Sequence, residues 1–164
     1  MKTKIALLSL ATTLCITGMS YAMLPDEEAF LGGIRTGYSY EQVTAIYGEP
    51  TEKTEPKKTP AYGGSYTMLI KYGDTLSFFF EGRDEAGPFH VIMISVSGNN
   101  GFATPKGIHV KSPERDIYRA YGRPDFDVPS RGSHYIMYKT SKYGKMSFHF
   151  KDGLVSNINL GYDA

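Results

Sequence analysis

Chemistry needs particular side chains within reach of one another, and this 164-residue chain offers few such sets. Its four histidines, His90, His109, His134 and His149, lack the short spacing of a zinc site. His109 and His134 would have to meet in space to act as a pair. Glu81, Asp84 and Glu85 could offer oxygens to Ca²⁺, but their spacing fits no calcium loop and reads better as a solvated turn. Gly63-Gly64-Ser65-Tyr66 lacks the closing glycine of a nucleophile elbow, which makes Ser65 a loop residue. No His-Glu-x-x-His, P-loop or Gly-x-Gly-x-x-Gly pattern occurs. The expectation is a protein that is not an enzyme, with no catalytic residue, no metal and no cofactor.

Charge and composition narrow the classes further. A formal net charge of +1 with no basic stripe argues against nucleic acid as a partner. Hydrophobic content of 41% is that of an ordinary folded protein. Lys2 and Lys4 precede an apolar stretch from Ile5 to Met19, and Ser20-Tyr21-Ala22 places small residues at −3 and −1. This pattern predicts a signal peptide over residues 1–22, cleaved after Ala22. The apolar run is short for a span and no second one follows, so no transmembrane anchor is expected. Leu14 before Cys15 argues against a lipid anchor. Cleavage removes Cys15, the one cysteine, so the mature protein is expected to be periplasmic or secreted and free of disulfides.

The elements that would position any site repeat along the chain. Gly33-Ile34 through Tyr47-Gly48-Glu49-Pro50 aligns without gaps on Gly107-Ile108 through Tyr121-Gly122-Arg123-Pro124. Further on, Tyr72-Gly73 and Ser77-Phe78-Phe79-Phe80 match Tyr143-Gly144 and Ser147-Phe148-His149-Phe150. Ser39 with Gln42 predicts a capping box, Val43, Ile46 and Tyr47 an apolar stripe, and Gly48 with Pro50 a helix stop. Ser112 as cap, Pro113 at the first helical position, and Ile117, Ala120 and Tyr121 repeat the pattern. Lys111 stands where Gly37 does, so the left-handed turn open to glycine is expected to be made differently there.

Three strands are predicted after each helix: Tyr66–Lys71, Thr75–Glu81 and His90–Val96, then Tyr135–Thr140, Met146–Lys151 and Leu154–Leu160. Asp152-Gly153 signals a tight hairpin, and the polar stretches 51–65 and 125–133 read as mobile loops. Asp26-Glu27-Glu28 reads as the first turn of a short helix. The expected fold class is α+β: two tandem repeats, each a short helical segment followed by a three-stranded antiparallel sheet, over residues 23–100 and 101–164.

Residues 34–43, Ile-Arg-Thr-Gly-Tyr-Ser-Tyr-Glu-Gln-Val, closing on Tyr47-Gly48-Glu49-Pro50, resemble the helical signature of the SmpA/OmlA (BamE-like) envelope proteins. The resemblance covers about 18 residues per copy and implies an envelope-assembly or structural role. The tandem arrangement is similar to the architecture of β-lactamase inhibitory protein, which implies a concave sheet that grips a protein partner.

Strand alternation assigns the two faces of each sheet. If Leu76, Phe78 and Phe80 point toward the helix, Phe79 points away, and Leu69, Val91 and Met93 join it while Ile92 fits the core. The second copy would turn Ile136, Tyr138, Ser147, His149, Val155, Asn157 and Asn159 outward. Leu69, Phe79, Val91, Met93, Tyr138 and His149 are thus the candidate partner-binding residues. Packing of the two repeats on each other, or a homodimer, would cover the same face. The expected function is an exported protein-binding module, inhibitor-like or adaptor-like, with the envelope factor as alternative and an unrecognised hydrolase as a remote third class.

Overall fold

The computed structural model describes residues 23–130 and 133–162. The signal segment 1–22 and Cys15 lie outside the described residues. Helix α1, Tyr40–Tyr47, starts on the expected capping box: the Gln42 N–H donates to the Ser39 hydroxyl (3.2 Å) and the Ser39 N–H to the Gln42 side chain (2.8 Å). Val43 is its buried anchor, whereas Ile46, expected on the same stripe, is turned to solvent. Helix α2, Glu114–Tyr121, begins one residue later than expected, with Pro113 at the cap position and Ile117 buried. Ser112 does not cap it; its hydroxyl accepts the His109 N–H (3.0 Å) and closes the preceding loop. Asp26–Glu28 forms a single 3₁₀ turn.

The expectation of two units, each a helix with its own three-stranded sheet, is overturned. The two helices have eight residues each, and one nine-stranded antiparallel sheet dominates the molecule. Its strands are β1 (Glu52–Lys53), β2 (Lys57–Lys58), β3 (Tyr66–Tyr72), β4 (Leu76–Gly82), β5 (His90–Val96), β6 (Phe126–Ser130), β7 (Ser133–Lys139), β8 (Lys145–Lys151) and β9 (Leu154–Gly161). The order is β1-β3-β4-β5-β9-β8-β7-β6, with β2 also on β3. The physical reason is the cost of unpaired strand edges. β5 and β9 would each expose one, and they pair instead, Met93–Val96 against Gly161–Ile158. The polar stretches expected as loops supply β1 and β2 at one margin and β6 at the other.

One face of this sheet carries the core. Ile70, Phe78, Phe80, Ile94, Val96, Ile136, Met146, Phe148, Ile158 and Leu160 are buried beneath the helices and the segment 24–36. That segment runs to the far half of the sheet. The Leu24 N–H donates to the Lys139 carbonyl (2.8 Å), and the Arg35 guanidinium lies 4.3 Å over the Tyr143 ring. Leu31 and Ile34 within it are fully buried.

Two bulges correct the facing read from alternation. Phe79 pairs with Met93 but Phe80 with Val91, so Ile92 is an extra residue in β5. Val91 therefore turns into the core, 1% exposed, and Ile92 is half-buried rather than core. Likewise His149 pairs with Asn157 but Phe150 with Val155, which buries Val155. Tyr138, expected outward, is 2% exposed, and Ile136 is buried with it, because their partners Met146 and Phe148 both face the core. Tyr138 satisfies its hydroxyl inside by donating to the Gly122 carbonyl (2.9 Å), and its ring meets Phe148 edge-on.

The turn expected to differ between the copies does not differ. Lys111 takes φ 81° where Gly37 takes 88°. Both donate to the sheet, Gly37 N–H to the Val91 carbonyl (2.7 Å) and Lys111 N–H to the Val155 carbonyl (2.8 Å). Those two bonds anchor the start of each helix to β5 and β9, the two strands that meet at the middle of the sheet, and Lys111 holds an angle that side chains rarely adopt.

Candidate functional site

The face of the sheet away from the helices is built by register alone. A cross-strand row runs Lys71, Ser77, Ser95, Asn159, Ser147, Met137, Phe126 from β3 to β6. A second row runs Leu69, Phe79, Met93, Gly161, Lys145, Lys139, and a third Asn157, His149, Tyr135, Val128. Leu69, Phe79, Met93, Tyr135, Met137 and His149 are all half-buried, and Phe126 and Val128 are exposed.

Four of the six expected partner-binding residues therefore lie on this face: Leu69, Phe79 and Met93 side by side across three strands, and His149 on β8. Val91 and Tyr138 belong to the core, as described above. Tyr135, Met137, Lys139, Lys145 and Tyr162 share the face or its trough without belonging to the expected set. The alternation of Met137 between inward Ile136 and Tyr138 is the signal that finds Tyr135, Met137 and Lys139, once the facing of one neighbour is known.

A trough of about 420 Å³ is cut into the face, lined by Met93, Tyr135, Met137, Lys145, Ser147, His149, Asn159, Gly161 and Tyr162. Its floor depends on Gly161. A β-carbon there would sit 2.2 Å from the Ile92 carbonyl oxygen, so only glycine lets β9 close on the bulge of β5. The Tyr162 N–H donates to the same Ile92 carbonyl (3.0 Å), which carries the Tyr162 ring to the trough's end. Tyr135 and His149 stack at 5.4 Å between ring centres. Desolvation lowers the His149 pKa from its ordinary 6.5, which keeps the ring neutral at pH 7. The Asn157 amide donates to the Ser95 hydroxyl (3.2 Å) across the β5–β9 seam.

The titratable groups gathered elsewhere have structural duties. His134 sits between two carboxylates, Nε2 at 2.8 Å from Asp127 and Nδ1 at 3.3 Å from Glu114. The Tyr118 hydroxyl donates to the other Asp127 oxygen (3.2 Å). The hydrogen bond from His134, then that from Tyr118, holds the Asp127 carboxyl below its usual range. Desolvation, reinforced by Asp127, pushes the Tyr118 hydroxyl up to about 12. Both ring nitrogens of His134 thus face carboxylates rather than a hydroxyl or thiol that they could activate. The cluster instead ties edge strand β6 to β7 and α2. His109 bonds the Val110 carbonyl (2.8 Å) through Nδ1 rather than pairing with His134. Asp84 and Glu85 are exposed, and among the described residues no group of three or more His, Cys, Asp or Glu is placed to hold a metal. Ser65 is a turn residue whose N–H donates to the Tyr62 carbonyl (3.1 Å).

Among the described residues no helix is long and apolar enough to cross a membrane. Comparison with family models, curated proteins and solved structures finds no match for this chain.

Proposed function

We infer that the protein is an exported protein-binding module that acts through the open face of its nine-stranded sheet. The observation that carries this reading is the set Leu69, Phe79, Met93 and Met137, large apolar side chains held half-exposed in register on a face that also carries Tyr135 and His149. An antiparallel sheet face meant only for water is expected to be polar, as the Ser77–Ser95–Asn159–Ser147 row is. Apolar and aromatic groups beside it are the composition of an interface centre. The signal-peptide pattern of residues 1–22 supports a periplasmic or secreted setting, and the likeness of residues 34–50 to the SmpA/OmlA signature agrees with the envelope.

The test uses the processed protein as bait against the envelope and culture fractions of its source, with wild type and Phe79→Ser compared. The recovered partner is then purified and titrated. A stoichiometric partner that binds wild type at least tenfold more tightly than Phe79→Ser supports the reading. Equal recovery and equal affinity would sink it. Sedimentation of the protein alone decides whether a homodimer covers the face instead, since a dimer broken by Phe79→Ser would replace the partner.

A further inference from the structure

The sheet ends differently at its two margins. At one, β1 and β2 are two-residue strands, Glu52–Lys53 and Lys57–Lys58, carrying three lysines, with Pro56 in the segment between them. Short strands, lysine and proline are what keep an open edge from pairing with another chain. At the other margin β6 runs five residues, Phe126–Ser130, without a lysine, and among the described residues no strand lies beyond it. Phe126 is 45% exposed and Val128 36%, although Lys139 already lies 5.0 Å over the Phe126 ring.

The phase of the ladder shows which backbone groups β6 turns outward. The Met137 carbonyl accepts the Asp125 N–H (2.9 Å), so Met137 faces its backbone toward β6, and Tyr135, two residues away, does the same. Phe126 and Val128, their register partners, therefore bond inward, and Asp127 and Pro129 point the other way. The outer edge presents the Asp127 N–H and C=O and the Pro129 C=O. Pro129 has no N–H to give, so it ends the pairing there.

The side chains fix what an added strand must carry. The residue that exchanges both bonds with Asp127 projects to the helix side, beside the Asp127 carboxylate. That side chain is 51% exposed, and with Glu114 it brings two acids to the single His134. Arg115 and Arg119 of α2 are turned to Asp116 instead. The neighbours of the added residue project to the open face, against Phe126 and Val128. A second copy of β6 fits poorly. Antiparallel self-pairing centred on Asp127, Val128 or Phe126 sets Asp127 against Asp127, Pro129 or Asp125, which gives like charges or a missing donor.

We propose that β6 is a strand-addition edge that takes an extended segment of another protein, with a lysine or arginine opposite Asp127 and an apolar residue on each side of it. Main-chain bonds give such a contact its affinity and the alternate side chains its specificity. The site goes beyond the open-face reading and does not rest on it, since Phe79 lies on β4, near the other end of the sheet.

The probe is a capped seven-residue peptide in which valine alternates with threonine and lysine stands at the centre, titrated into the processed protein. Exchange of the Asp127 amide hydrogen, followed by NMR, is expected to slow about tenfold or more at saturation, while Phe126 and Val128 change little. A twin with glutamate at the centre should bind about fivefold more weakly, the scale of replacing an opposite by a like charge across two strands. A twin N-methylated at the central residue loses the donor to the Asp127 carbonyl and should bind about tenfold more weakly. Asp127→Asn should erase the preference for lysine over glutamate, and Lys58→Glu at the other margin should bind as wild type does. An Asp127 amide that exchanges as fast with peptide as without it overturns the proposal. So does an N-methylated or glutamate twin that binds wild-type protein as tightly as its parent. A dimer in sedimentation whose Asp127 amide is already protected would put a second copy on the edge and overturn it too. These deciding readouts use wild-type protein, so the outcome does not depend on a variant folding. None of them involves Phe79, so the open-face reading stands or falls on its own titration.

Discussion

His149 and Phe79 occupy matched places in the two halves of the chain, and they illustrate how single residues set the character of the face. Phe79 lies between Leu69 and Met93 and gives its half a continuous apolar strip. His149 stacks on Tyr135 and pays for its place with a desolvated imidazole. The folded state thus binds a proton less readily at His149 than the unfolded chain does. Its contribution to stability is full above the ordinary imidazole value of 6.5 and is lost as pH falls through 6.5 toward the lowered folded value. We expect denaturant midpoints to fall as pH drops below 6.5, and His149→Gln to flatten that part of the profile. An unchanged slope in the variant would show that other groups carry it. Asp127 acts in the same direction at lower pH, since its folded carboxyl titrates below the ordinary range.

Turns and short helices follow local rules closely, and they show where those rules are strained. Ser39 and Gln42 cap α1 as their spacing predicts, and Asp152 and Gly153, both with positive φ, make the tight β8–β9 turn that the dipeptide signals. Lys111 is the exception. It adopts φ 81° because its N–H must reach the Val155 carbonyl, the same bond that Gly37 makes to Val91. A side chain in that region costs about 1–2 kcal/mol, and glycine returns about 0.5–1 of it as unfolded-state entropy. Lys111→Gly is therefore expected to raise stability by about 0.5–1 kcal/mol, read by urea unfolding. A loss of stability would mean that the Lys111 side chain contributes more than its backbone costs. The short strands β1, β2 and β6 were not legible at this scale. They are two to five residues long, polar or interrupted by proline, and are held as strands only by pairing along the edge of the next long strand, β3 or β7.

At the scale of the whole molecule, the seam between β5 and β9 and the strap of residues 24–36 make the two halves interdependent. Leu31 and Ile34 are fully buried, the Gly32 N–H donates to the Ala103 carbonyl (2.9 Å), and Asp26 reaches the Ser141 hydroxyl (2.5 Å) and Lys142 (3.5 Å). Unfolding is expected as a single cooperative transition rather than two. Leu31→Ala should lower the stability of that one transition by about 2–5 kcal/mol, the cost of emptying a packed apolar site. Calorimetry that resolved two transitions, with only one moved by Leu31→Ala, would contradict this.

The amino-acid sequence by itself determined what acts over a few residues: the capping box of α1, the alternation of Met146, Phe148 and Phe150, the Asp152-Gly153 turn, and which segments become the long strands. Only the tertiary structure decided that these strands join into one sheet, because the need to pair β5 with β9 is felt only when both edges exist. It also decided where the bulges fall. Each inserts one residue, and with a side-chain period of two a single insertion exchanges inside for outside. Val91 and Val155 therefore left the open face, while Tyr138 left it because its cross-strand partner Met146 is core. Leu69, Phe79, Met93 and His149 stayed on it, and register brought Tyr135, Met137 and the Lys139–Lys145 pair beside them.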